Sequence, residues 1–137
     1  MTELLVARAA DGERLGSARL LVATEDLYLA DYELETGTEP GIPHYHRLHS
    51  DSFYVLQGVL EFRMGDEWVR AEAGTALSAP RGAIHAFPVA LGGRARFLNM
   101  HTPGGFETYM REMIDKRERG EPLDAAFLRS HDIYEIG

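Results

Sequence analysis

Three of the six histidines lie within one short segment, Pro43-His-Tyr-His-Arg-Leu-His-Ser-Asp51. If His44 and His46 lie on a β-strand, their two-residue spacing sends both imidazoles to one face of the strand, where they can share a metal ion. Asp51 follows His46 by five residues, an odd step that would place it on the opposite face. We therefore expect a turn or a bulge within residues 47–50.

A further candidate ligand, His85, lies in the segment Gly74-Thr-Ala-Leu-Ser-Ala-Pro-Arg-Gly-Ala-Ile-His85. Pro80 and Gly82 predict a turn, after which His85 begins a strand among apolar neighbours. Taken alone, each motif has an ordinary explanation. His44 and His46 could be unrelated surface residues, and His85 could be a hydrogen-bonded histidine of the core.

The elements that must position these residues are predicted to be strands. From Asp26 to Glu35, apolar and acidic side chains alternate with the period of two of a half-buried strand. Gly65-Asp66 and Gly92-Gly93 each separate two strand-like segments and predict hairpins, and Gly58 predicts a turn or bulge. Short strands joined by turns that contain glycine predict an antiparallel sandwich or barrel. No helix is predicted before residue 103.

After residue 103 the apolar period becomes helical, with members Phe106, Tyr109, Met110, Met113 and Ile114. Gly120 is the predicted end of this helix, and Pro122 is predicted to begin a second short helix. The apolar stripe could bind a partner helix, although packing on its own domain is the commoner use of such a stripe.

Length and composition limit the function. A chain of 137 residues predicts a single domain, with a barrel over about residues 15–102 and a helical segment over about 103–131. Acidic residues outnumber basic ones by 22 to 14, which argues against nucleic acids and anionic membranes as partners. Cysteine is absent, which excludes disulfides, thiolate metal ligands and a cysteine nucleophile. No apolar stretch is long enough to cross a bilayer, so we expect a cytoplasmic protein.

Together, the two histidine segments resemble the two motifs of the cupin superfamily. The spacing of His44, His46, Asp51 and Gly58 matches the latter part of the first motif, and that of Gly74, Pro80, Gly82 and His85 matches the second. The strands on either side and Thr102-Pro-Gly-Gly-Phe-Glu107 extend the likeness over roughly residues 25–115. The chain is thus similar to small single-domain cupins of the quercetin dioxygenase-like type. This implies an all-β fold, an antiparallel double-stranded β-helix (jelly roll) with one or two C-terminal α-helices.

The resemblance also implies a metal site formed by His44, His46, Asp51 and His85. The sequence departs from the motifs at two positions, where Asp51 replaces a glutamate and Val89 replaces an asparagine. Because aspartate is one methylene shorter, a three-histidine site in which Asp51 orients a ligand or acts as a base is an alternative to four ligands. His49 could also reach the ion, or remain solvated in its loop.

Imidazole and carboxylate ligands suit one divalent ion of Fe, Mn, Ni, Co, Cu or Zn. Strand alternation turns Phe53, Val55 and Phe87 inward with the site, where they line a substrate pocket or simply pack in the core. An apolar pocket favours a small organic substrate, such as one with an enol or phenol oxygen. Our hypothesis is a metal-dependent, dioxygenase-like oxidoreductase with Asp51 as its possible base. The alternative is a non-catalytic module that binds or senses a small ligand, and in either case we expect a homodimer.

Overall fold

The computed structural model describes residues 4–136. In this part of the chain, strands form two antiparallel sheets, and two α-helices follow the main run of strands. The strands are β1 (Glu13–Leu15), β2 (Ala18–Ala23), β3 (Tyr28–Leu34), β4 (His44–Tyr45), β5 (Ser50–Gln57), β6 (Val59–Met64), β7 (Glu67–Glu72), β8 (Ala76–Ala79), β9 (His85–Ala90), β10 (Ala95–Thr102) and β11 (Tyr134–Glu135). The helices are α1 (Phe106–Glu118) and α2 (Ala125–Ser130), and a short 3-10 helix spans Ala9–Asp11.

The two sheets have the orders β1-β2-β3-β10-β5-β8 and β11-β4-β9-β6-β7. Consecutive strands repeatedly change sheet, as β5 and β6 do, so the chain winds around one shared interior. This arrangement confirms the predicted double-stranded β-helix with C-terminal helices. The short 3-10 helix near the N-terminus was not predicted.

The inner faces of the sheets form the core. On β3 the apolar positions of the predicted alternation are buried, namely Tyr28, Ala30, Tyr32 and Leu34. They pack with three aromatic residues from neighbouring strands, Phe53, Phe62 and Phe97. Burial of such large apolar side chains supplies the main driving force for closing the barrel.

One of the two predicted hairpins is correct. β6 and β7 pair in register around Gly65-Asp66, from Met64 opposite Glu67 to Val59 opposite Glu72. The hairpin predicted at Gly92-Gly93 is wrong, because β9 and β10 lie in different sheets. The glycines do reverse the chain, but β10 crosses to the other sheet and pairs with β3 and β5.

Gly58 stands at a similar crossing, between β5 and β6. Its φ is +79°, a left-handed conformation that side chains other than glycine adopt with strain. A Cβ at this position would lie 2.5 Å from the carbonyl oxygen of Arg94. The predicted turn is confirmed, and both conformation and close approach require glycine.

The helices pack against the barrel core through their apolar residues. Met110 and Met113 of α1 are buried, and Phe106, Tyr109 and Ile114 pack against the core, so the predicted stripe serves its own domain. Helix α2 begins at Ala125 and not at Pro122, because the Asp124 side chain accepts a hydrogen bond from the backbone N–H of Phe127 at 2.9 Å.

Candidate metal centre

Strand pairing brings the four predicted ligands together. His44 on β4 lies opposite His85, the first residue of β9. His46 follows β4, and the bend at residues 47–49 returns the chain so that Asp51 on β5 turns inward, as the odd spacing required. One ligand atom from each of these four residues lies within 4.8 Å of the others.

The closest pairs of polar atoms centre on the Asp51 carboxylate. Its Oδ2 lies 2.9 Å from His85 Nε2 and 3.5 Å from His46 Nε2. Two ligands that each bind one ion at about 2.1 Å stand about 3.0 Å apart at right angles and about 3.4 Å apart in a tetrahedron. The observed distances therefore match neighbouring ligands of a single ion.

Backbone carbonyls fix the orientation of all three imidazoles. His44 Nδ1 donates a hydrogen bond to the carbonyl of Ile42 at 2.9 Å, and His85 Nδ1 donates to that of Ala83 at 3.0 Å. His46 Nδ1 donates to the carbonyl of Asp132 at 2.8 Å. Since Nδ1 carries the proton, the lone pair of each neutral ring is on Nε2, as a metal ligand requires.

An unsatisfied atom supports the fit to a metal ion. Among residues 4–136, His46 Nε2 has no hydrogen-bond partner although it is buried. A buried polar atom left unsatisfied costs free energy, and a bound cation would remove that cost. The donor set of imidazole nitrogens and one carboxylate also suits a divalent transition ion, so this group could hold a metal.

The electrostatics favour a charged Asp51. Burial alone raises the pKa of Asp51, but the neighbouring His101, His46 and His85 outweigh this effect and hold the pKa well below its ordinary value. A carboxylate serves best as a general base near neutral pH when its pKa is raised, and the pKa of Asp51 is shifted in the opposite direction. A carboxylate whose pKa is lowered is better suited to bind a cation than to act as a base.

The histidine ligands differ in their pKa values. Burial, together with the nearby His85, lowers the pKa of His44 to about 4, so this ring is neutral at ordinary pH. Burial also lowers the pKa of His85, but its hydrogen bond to Asp51 more than compensates, and the net pKa is raised. The raised pKa favours the protonated ring, in which His85 Nε2–H donates to Asp51 Oδ2 at 2.9 Å.

Two site residues were missed in the sequence, Asn99 and His101 on β10. Asn99 Nδ2 donates to Asp51 Oδ1 at 2.6 Å, while Asn99 Oδ1 accepts from His101 Nε2 at 3.0 Å. His101 Nε2 also lies 3.3 Å from Asp51 Oδ1. The alternation along β10 could have predicted their inward orientation, because both residues lie on the same face of the strand as the buried Phe97.

A second group of imidazoles adjoins the first. One nitrogen from each of His46, His49 and His101 lies within 4.8 Å of the others. The rings of His46 and His49 stack, however, with centroids 4.0 Å apart and planes inclined by 26°. An imidazole lone pair lies in the plane of its ring, so two stacked rings cannot direct their lone pairs at the same ion. Proximity alone does not make this group a metal centre.

A cleft of about 210 Å³ opens beside the second group. Phe106 and Tyr109 of α1 form part of its wall, opposite the bend that holds His49. His49 Nε2 and His101 Nδ1 have no hydrogen-bond partner among the described residues. His101 Nε2–H and His49 Nδ1–H are both donated elsewhere, so these two free nitrogens are hydrogen-bond acceptors.

The predicted pocket residues lie deeper in the barrel. Phe53 and Val55 are fully buried members of the core, and Phe87 packs against its edge. Of these, Phe53 has its ring centroid 6.5 Å from that of His85. Their assignment to a substrate pocket stays a prediction.

Comparison with known proteins agrees with the architecture. The cupin domain family model matches residues 30–101, so the chain belongs to the cupin family. No protein with a curated description matches the chain. Among residues 4–136, no helix has the length and apolar character needed to cross a membrane.

Solved structures show the same fold at low sequence identity. KdgF from Halomonas sp. is 23% identical with a TM-score of 0.65, over 79% of this chain and 99% of that one. The polyketide cyclase RemF from Streptomyces resistomycificus is 23% identical with a TM-score of 0.60, over 73% and 80% of the two chains. An RmlC-like cupin from Shewanella frigidimarina is 19% identical with a TM-score of 0.65, over 78% and 96%.

Proposed function

We propose that the chain is a metal-dependent enzyme of dioxygenase-like type. It binds one divalent transition ion (Fe, Mn, Ni, Co, Cu or Zn) through His44, His46, Asp51 and His85, and it acts on a small organic substrate. The observation that carries this proposal is the common orientation of the three imidazoles. Each donates Nδ1–H to a backbone carbonyl and turns Nε2 toward the others and Asp51.

A bound ion of this kind supplies Lewis-acid or redox chemistry at the coordination positions that the protein leaves open. The chain's own residues hold the carboxylate and the imidazoles in place. Asn99 donates to Asp51 Oδ1 at 2.6 Å, which leaves Oδ2 facing His85 and His46. This arrangement supports Asp51 as a fourth ligand in preference to a base.

We propose that the substrate binds in the cleft between α1 and the bend at residues 47–49. Phe106 and Tyr109 line this cleft with His49 and His101, whose Nε2 and Nδ1 atoms are buried acceptors without a partner among residues 4–136. A phenol or enol O–H would satisfy such an acceptor, whereas a carboxylate or phosphate would be repelled by lone pairs and by the nearby Asp132. Phe53, Val55 and Phe87 are proposed as the deeper apolar lining.

Metal analysis tests the first part of the proposal. Protein purified without chelator should carry close to one equivalent of transition metal, and His46→Ala should carry much less because it lacks a ligand. Less than about 0.2 equivalents in the wild type, or equal content in both proteins, would contradict a metal site.

Oxygen consumption with a panel of flavonols and diketones tests the reaction. A metal-loaded sample should consume oxygen with at least one of them. Binding without turnover would favour the alternative, a non-catalytic ligand-binding or sensing module. Because one similar structure is named a polyketide cyclase, the panel should include substrates that cyclise without oxygen. The homodimer and the cytoplasmic location stay predictions, the first of which the mass in solution would test.

A further inference from the structure

Asp132 lies in the turn between α2 and β11, far from the histidine segments in sequence. Its φ is +62°, a left-handed conformation that is rare outside glycine. Among residues 4–136, no other non-glycine residue has a positive φ. The strand that follows it pairs with β4, with Tyr134 opposite Tyr45 and Glu135 opposite His44. This C-terminal segment therefore pairs with the edge of the strand that carries His44.

Asp132 binds the bend beside the metal centre through three acceptor atoms. Its backbone carbonyl accepts from His46 Nδ1 at 2.8 Å. Its Oδ1 accepts from the backbone N–H of Arg47 at 2.8 Å. Its Oδ2 accepts from the backbone N–H of Leu48 at 2.7 Å and from His49 Nδ1 at 2.8 Å.

These contacts set the tautomer of two neighbouring imidazoles. Because Asp132 accepts both Nδ1–H groups, the free lone pairs of His46 and His49 are on Nε2. His46 Nε2 lies 3.5 Å from Asp51 Oδ2, within the metal centre. The ring of His49 lines the cleft, where its Nε2 finds no partner among residues 4–136.

We infer that Asp132 is a positioning residue, which holds His46 with its Nε2 atom beside Asp51 in the metal centre and His49 with its Nε2 atom buried next to the cleft. The inference rests on the proposed metal-binding function and deepens it, because it makes the C-terminal segment part of the site. Four hydrogen bonds at normal distances converge on this one residue. Its left-handed conformation presents the carbonyl and the carboxylate to the same bend.

The chain offers variants that separate this role from ordinary stabilisation. Asp132→Gly permits the left-handed backbone and removes only the side-chain contacts. Asp132→Asn also tolerates that backbone and keeps one acceptor oxygen. Asp124→Gly is the matched control, since Asp124 caps α2 in the same segment and its side chain bonds Phe127 N–H. Circular dichroism tests whether each variant is folded.

Two measurements decide the inference, a Co²⁺ titration followed by its visible spectrum, and the imidazole tautomers by ¹⁵N NMR of the Zn²⁺-loaded and metal-free proteins. Asp132→Gly keeps the carbonyl that accepts from His46 but removes the bonds that hold the bend and fix the backbone at position 132, so it should weaken Co²⁺ binding by about tenfold, the low end of the cost of losing outer hydrogen-bond partners. It should also alter the Co²⁺ spectrum and release His49 from the Nδ1–H tautomer. Asp132→Asn should recover part of the affinity, and Asp124→Gly should match the wild type.

A folded Asp132→Gly protein with wild-type Co²⁺ affinity, spectrum and His49 tautomer would overturn the inference. An equal loss in Asp124→Gly would overturn it as well, because the effect would then be general destabilisation. If the wild type itself binds no Co²⁺, the proposed function fails. The tautomers of the metal-free proteins then decide the role of Asp132 on their own, and an unchanged His49 tautomer in Asp132→Gly would reject it.

Discussion

The two imidazole groups of this protein share His46 and have similar spacing, but they differ in ring orientation. In the first group, the ring of His44 is inclined by 66° to His46 and by 53° to His85. In the second, His46 stacks on His49, and His101 stacks on Phe106 with centroids 3.8 Å apart and planes inclined by 14°.

The difference lies in where the lone pairs point. Inclined rings with Nδ1–H bound to backbone carbonyls direct their Nε2 atoms toward one place. Stacked rings bury their apolar faces and do not direct their lone pairs toward one place. A metal site is therefore recognised by ring orientation and by the partners of the other nitrogen, and interatomic distance alone is not enough.

The largest expected effect separates the two groups directly. His85→Ala removes a ligand that belongs only to the first group and should weaken metal binding by at least about 100-fold, more than loss of an outer hydrogen-bond partner costs. His101→Ala removes a member of the second group only and should change the affinity much less. Equilibrium metal titration of both variants provides the measurement. Comparable losses in the two would mean that the ion sits between the groups.

Asp51→Asn should have the next largest effect. The substitution keeps the size of the side chain but removes the charge, so we expect metal affinity to fall about 10- to 100-fold, with activity falling in parallel. Metal content and turnover should be measured on the same samples. Retained metal with lost turnover would instead assign Asp51 to base chemistry.

A smaller effect is expected from pH. Metal must displace the proton of His85, whose pKa is raised because Asp51 more than offsets the effect of burial. Affinity should therefore fall by about tenfold for each pH unit below that pKa. His44, with its pKa lowered to about 4, adds no competition near neutral pH.

The same proton has a predictable effect on the metal-free protein. Because the folded-state pKa of His85 is raised, its contribution to stability is complete below the unfolded pKa of about 6.5 and is lost as pH rises through the folded pKa. The free energy of unfolding of the metal-free wild type should therefore exceed that of His85→Gln by more at pH 6 than at pH 8. Urea unfolding of both proteins at the two pH values measures this difference. The fall in metal affinity at low pH has its own contrary outcome. If the affinity did not change between pH 6 and pH 8, His85 would carry no proton for the metal to displace.

Local patterns in the sequence were sufficient for much of the fold. The alternation over β3, the turn at Gly65-Asp66 and the apolar stripe of α1 all depend on residues close together in the chain. The wrong hairpin prediction at Gly92-Gly93 arose because strand pairing there depends on residues far apart in the chain. A glycine turn shows that the chain reverses, but the sheet that the next strand joins is decided by distant strands.

The same distinction applies to the site. The four candidate ligands of the first group lie in two motifs whose spacing is visible in the sequence. His101 meets Asp51 only through the register of β10 on β5, in which the two residues stand opposite each other. Nothing in the sequence near Asp132 indicated its role. Its partners lie in a bend far from it in the chain, and its left-handed backbone occurs at an aspartate, where no glycine marks it.

The bond from His46 to Asp132 spans 86 residues of sequence. During synthesis the first histidine motif leaves the ribosome long before Asp132 does, and His85 also precedes it. A nascent chain can thus present all four ligands while His46 Nδ1 still lacks its partner. The orientation of His46 that the proposed metal site requires is therefore complete only after Asp132 has been synthesised.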